Sequence, residues 1–267
     1  NVMRHAGVVA GSGTEPALYS LDSDWVAGLT ALGVTGVTTS NITAVKAAIA
    51  GTASLTSSNG GQGVINDGLE VDTVQEIKDL LKVTIALQQL KDYANATNGA
   101  GVAAPTLTTY KDAGVKGLAN LSETTASADI DSATVTGALG ITSAAWLTTL
   151  NTALDKRTDG STLTVAQIQA MVDSYYRILS EADGVVNTTT DVDVYPAVAA
   201  SDPTSTDYTN IGATVGNAKS VDLLNDFVGQ SAKTAVDTVD ELNVVAKAAY
   251  NVMRHAGVVA GSGTEPA

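Results

Sequence analysis

Three times along the chain a Thr-Val pair is followed by Glu or Gln at the third residue after the Thr. The stretches are TVQEI from Thr73, TVAQI from Thr164 and TVDEL from Thr238. At that spacing the Thr hydroxyl accepts from the third helical N–H, and the acidic or amide side chain accepts from the N–H of the Thr. Thr73 with Glu76, Thr164 with Gln167 and Thr238 with Glu241 therefore read as capping boxes, each opening a helix. Apolar residues follow in steps of three and four: Ile168, Met171, Val172, Tyr175, Ile178, Leu179 and Ala182 in one stretch, Leu242, Val245, Ala246, Ala249, Val252, Met253 and Ala256 in another. After Thr73 the same steps pick out Ile77, Leu80, Leu81, Thr84 and Leu87. Such periodicity buries one face of an α-helix, and it predicts an all-α fold of tandem small helical bundles.

Proline sets the phase. Pro16, Pro105, Pro196 and Pro266 each follow one of these helices, where a residue that cannot continue a helix stiffens a joint. The predicted organisation is a tail at 1–15, helical modules at 16–104 and 105–195, and a shorter module at 196–267, joined by Pro-, Thr- and Asp-rich linkers. Ile141–Ala182 aligns without a gap on Val215–Ala256, with its apolar pattern kept. A further helix is expected near the start of each module, from DSDWVAGLTALGVTGV and TLTTYKDAGVKGL, with STDYTNIGATV as a weaker match. A longer period overlies this one. NVMRHAGVVAGSGTEPA occurs at residues 1–17 and again at 251–267 without a mismatch, so residue 251 reads as residue 1 of a following copy.

Composition excludes several function classes. The net charge is −14, which repels nucleic-acid phosphates and anionic lipid. There is no Cys, hence no disulfide, zinc thiolate or Cys nucleophile. No apolar run is long enough to cross a bilayer. With one Phe, two Trp and eight Tyr, the cores must be built mainly from Val, Ala, Leu and Ile. His5 and His255 are one repeated position at a helix end, beside Arg254 in the second copy, where positive charge suits the helix dipole. No Ser/His/Asp set can be assembled, and neither Gly-rich stretch, GSGTEP or NGGQG, has the setting of a phosphate loop.

Three Asp-x-Asp pairs are the candidate metal ligands: Asp22 and Asp24, Asp129 and Asp131, Asp191 and Asp193. In joints such carboxylates could hold Ca²⁺ through oxygen; the competing reading is solvated linker charge, with no cofactor at all. Trp25 stands as a candidate sugar-stacking ring, while Trp146 and Tyr176 read as packing residues. Asn41, Asn95, Asn120 and Asn187 begin Asn-x-Ser/Thr sequons.

The phrases YKDAGVKGL, GVTGVTTSNITAVKAAI and TVAQIQAMVDSYYRIL, followed by Pro and a Thr/Asp-rich joint, resemble helical tandem repeats of giant bacterial cell-surface and biofilm-associated adhesins. The resemblance implies a secreted or cell-surface, non-catalytic stalk or matrix fibre whose partners are neighbouring repeats. A self-assembling filament or sheath subunit is the first alternative, and a sugar- or calcium-binding adhesive module the second.

Overall fold

The computed structural model describes residues 21–52, 74–96, 101–117, 129–130, 133–157, 159–182, 184 and 202–257. Among these it contains ten α-helices and no strand, only an isolated bridge between Lys116 and Asp129. The chain divides into two compact units, Asn1–Gln89 and Leu90–Ala267. The division falls inside a helix, and the second unit holds both the 105–195 and the 196–267 segments.

The first unit contains α1 (Asp22–Ala31), α2 (Ile42–Thr52) and most of α3 (Val74–Asn95). Its core joins Trp25 and Leu29 of α1 to Ile42, Val45 and Ile49 of α2 and to Ile77 and Leu81 of α3. Each fully buried Leu or Ile contributes roughly 2 kcal/mol, which is how a chain poor in aromatics holds together. Asn41 fastens the turn before α2: its amide donates to the Gly36 carbonyl (2.8 Å) and its Oδ1 accepts from Thr38 N–H (2.8 Å).

The second unit begins in the last turns of α3. It continues through α4 (Leu107–Asp112), α5 (Ala133–Leu139), α6 (Ser143–Asp155), α7 (Val165–Glu181), α8 (Ser205–Asn210), α9 (Ala218–Gly229) and α10 (Val239–His255). Short 3₁₀ turns, Gly160–Thr162 and Lys233–Ala235, lead into α7 and α10. The order α4, α6, α7 is repeated as α8, α9, α10, with α5 as an addition in the first set. The two sets pack on each other, α8 lying against α7 and α9 also touching it.

The repeat extends to backbone detail. At the end of α4, Gly114 N–H donates to Lys111 O and Val115 N–H to Tyr110 O; at the end of α8, Gly212 donates to Thr209 O and Ala213 to Tyr208 O. These are Schellman closures, and they need a residue at positive φ, 90° at Gly114 and 85° at Gly212. The end of α1 has the same pattern, with Gly33 to Thr30 O and Val34 to Leu29 O. Leu29, Tyr110 and Tyr208 are therefore one structural position in three copies.

Candidate functional site

The residues that could do work fall into internal latches, a polar junction and an apolar groove. In α4 the Tyr110 hydroxyl donates to Asn151 Oδ1 (2.9 Å), and the Asn151 amide donates to the Pro105 carbonyl (3.0 Å). In α8 the Tyr208 hydroxyl donates to Asn225 Oδ1 (2.7 Å), and the Asn225 amide donates to the Pro203 carbonyl (2.8 Å). One Asn side chain thus ties the short first helix and the Pro before it to the middle helix of its set. Burial pushes both phenols above their ordinary pKa; the neighbouring Tyr93 adds to the effect at Tyr110, and the Glu181 and Asp207 charges add at Tyr208. Pro203, not Pro196, occupies the place of Pro105. Pro196 itself lies outside the described residues.

A second latch uses an amide from the last helix. Gln169 of α7 brackets Lys116, accepting from its N–H (2.7 Å) and donating to its carbonyl (2.8 Å). Asn243 of α10 accepts from Thr214 N–H (2.8 Å) at the corresponding place.

The capping residues sit at helix starts. Thr164 accepts from Gln167 N–H and Gln167 Oε1 accepts from Thr164 N–H, opening α7. Thr238 and Glu241 do the same for α10. Glu76 is in the first turn of α3, while Thr73 lies outside the described residues. Two further boxes, Thr106 with Thr109 and Thr204 with Asp207, open the short helices α4 and α8. Their signal, a Thr three residues before a Thr or Asp, was available in the sequence but has no long apolar stripe behind it.

Asp207 is also the hub of the polar junction between α7 and α8. It is 5% exposed. It accepts from Arg177 Nη1 (2.9 Å to each oxygen), from Ser174 Oγ (3.0 Å) and from Thr204 N–H (2.8 Å). Ser174 in turn accepts from the Asn210 amide (3.0 Å). Beyond α6, Arg157 pairs with Asp159 through two bonds and donates to the Asn210 carbonyl (3.0 Å), and Lys156 reaches Asp240 (2.8 Å). The Arg157 guanidinium holds the Asp159 carboxyl below its usual range.

One acidic pair is placed differently from the sequence expectation. Asp22 and Asp24 were expected in a joint; both lie in the first turn of α1, two residues apart, where side chains do not face each other. Asp22 bonds Lys46 (2.6 Å). Asp129 sits between Lys111 (2.8 Å) and Lys116 (3.5 Å), and the hydrogen bond from Lys111 holds its carboxyl below the ordinary range. Asp131, Asp191 and Asp193 lie outside the described residues. Among the described residues no three carboxylates or imidazoles gather as a metal site would require.

Trp25 is 2% exposed, so its ring is core and offers no face to a sugar; Lys46 Nζ lies 5.6 Å from the ring centre. Trp146, Tyr175 and Tyr176 are buried as well. His255 ends α10 with its Nδ1 2.9 Å from the Asn251 carbonyl. Asn41 is buried and doubly bonded, so its sequon is not presented for glycosylation. No helix among the described residues is long and apolar enough to cross a membrane.

The apolar groove lies between α9 and α10. Its volume is about 420 Å³, and its lining includes Leu223, Phe227, Val244, Val245, Ala248 and Val252. Phe227 is 50%, Val252 58% and Val244 70% exposed. The stripe of α10 is thus buried at Leu242, Ala246 and Ala249 but open at Val252.

Compared with known protein families, with curated proteins and with solved structures, the chain matches none.

Proposed function

We propose that this chain is a repeating structural unit of a longer, non-catalytic extracellular protein, one that projects, spaces or links. The observation that carries this reading is repetition at two scales. A seventeen-residue segment recurs at a spacing of 250 residues, and within that period the Tyr–Asn–Pro latch, the capping boxes and the Schellman closures recur from set to set. Repeats whose helices cap one another's apolar faces build extended bodies with nearest-neighbour interfaces. An acidic chain without Cys suits a body that stays soluble and needs no redox control. The polar junction supports the mechanical reading too: Asp207 joins Arg177 and Ser174 of α7 to the start of α8, so its hydrogen bonds tie one helix to the next.

A filament subunit that assembles through its ends is the second reading, and the open groove on α9 and α10 favours it. Protease treatment of intact producing cells tests the extracellular part. Fragments of this chain should be released while the cells stay unlysed; fragments obtained only after lysis would overturn it.

A further inference from the structure

The groove between α9 and α10 has a counterpart in the same molecule, and there the corresponding positions are buried. The set α6–α7 maps onto α9–α10 by a constant shift of 74 residues, fixed by Asn151 and Asn225 in the latches and by Thr164 and Thr238 at the caps. Under that shift Phe227 corresponds to Ala153 and Val252 to Ile178. Ala153 and Ile178 are fully buried, whereas Phe227 and Val252 are half exposed. Among the described residues the second set has no counterpart of the helix that follows the first: α8, the opening helix of the next set, lies against α7.

The sequence provides a third opening helix, α1. The shared Schellman closures align it with α8, placing Leu29 on Tyr208, Ala31 on Asn210 and Leu32 on Ile211. Ile211 is fully buried, while Leu32 is 38% exposed. The polar partners change together. Where α7 offers Ser174 and Arg177 to Asp207 and Asn210, α10 offers Ala248 and Asn251, and α1 answers with Gly28 and Ala31. A charged, hydrogen-bonded junction is replaced on both sides at once by small uncharged residues, so closing the groove over α1 would bury no charge in place of the Arg177–Asp207 pair.

We infer that the α9–α10 groove receives α1 of a second copy of this chain, head to tail, and repeats the α7–α8 interface. This deepens the repeat-array reading by naming its joint. The arrangement is heterologous and need not close, so it propagates into a filament. Copies of net charge −14 repel each other, and association should therefore strengthen with salt.

The test uses the full chain, which has no native Cys. Ala31→Cys and Ala248→Cys proteins are mixed under mild oxidation and the disulfide-linked heterodimer is quantified. The expected result is at least tenfold more heterodimer than from Ala31→Cys mixed with Lys219→Cys, an exposed control at the start of α9. Yield should rise with salt and fall to the control level when Phe227→Asp is added to the Ala248→Cys protein. Equal yields in the two mixtures would overturn the inference. So would capture of Ala248→Cys by Met3→Cys in preference to Ala31→Cys, which would make the repeated terminal segment the occupant. Circular dichroism of each variant establishes that it is folded. The result does not depend on the size of the native protein, so this joint and the array can fail separately.

Discussion

Asn225→Ala removes a side chain that is 3% exposed and serves two buried partners. The Tyr208 hydroxyl, on a side chain with no exposure, loses its acceptor, and the Pro203 carbonyl loses its donor. Each buried group left unsatisfied costs about 1–3 kcal/mol, so the variant should lose roughly 2–6 kcal/mol. In a unit of this size that corresponds to a fall in Tm of about 4–24 °C. Asn151→Ala breaks the same two bonds in the first set. Tyr110 and Pro105 are buried as well, but Asn151 is half-buried where Asn225 is 3% exposed, so water can enter in its place and the cost should be nearer 1 kcal/mol. Tyr208→Phe removes one donor and leaves the Asn225–Pro203 bond, and should cost about 1–2 kcal/mol. Urea unfolding followed by circular dichroism, read at constant m-value, ranks the three. An Asn151→Ala loss equal to or greater than that of Asn225→Ala would refute the reasoning, because both latches have the same chemistry and differ in burial. A loss below about 0.5 kcal/mol for Asn225→Ala would also refute it.

The remaining predictions are smaller. Thr164→Ala removes the cap of α7 and should cost about 1 kcal/mol in the same assay. Gly212→Ala should cost more than Gly140→Ala: both sit at positive φ, but an added Cβ at Gly212 would meet the Lys156 Cβ at 3.1 Å, whereas at Gly140 it meets open space. Two carboxylates should act on acid stability in opposite directions. The Asp129 pKa is lowered, chiefly by the Lys111 hydrogen bond, so its contribution is present above the ordinary carboxylate pKa and is lost as pH falls through the folded value. The Asp237 pKa is raised, first by burial and then by Glu241, so its contribution is complete below the ordinary pKa and is lost as pH rises through the folded value. Asp129→Asn should therefore weaken the protein at neutral pH and flatten its acid limb, and Asp237→Asn should do the reverse. NMR titration of the two carboxyl groups, with melts from pH 3 to pH 7, checks both signs.

The long helices were legible because a capping box and a 3.6-residue stripe are local signals; Thr164 and Thr238 sit where the spacing places them. The latches were not. Tyr110 and Asn151 are 41 residues apart, whereas Tyr208 and Asn225 are 17 apart, so no fixed spacing announces them. The insertion of α5 into the first set is what breaks the match. The role of Pro203 was not legible because a proline's distance from the preceding helix does not say which carbonyl an Asn will bind. Burial of Trp25 was illegible for another reason. Asp22, Asp24 and Lys46 make its surroundings look polar, yet the ring packs inward while Asp22 and Lys46 pair above it. The groove was half visible. Its stripe reads as buried throughout, because periodicity reports which side of a helix is apolar and not whether anything covers it.

The central claim is that this 250-residue period recurs in one long molecule, and the intact mass of the native protein tests it most directly. The account predicts a mass many times the 26.9 kDa of this chain, with limited proteolysis giving a ladder whose steps equal one period. A native protein of about that same mass, with no ladder, would contradict it.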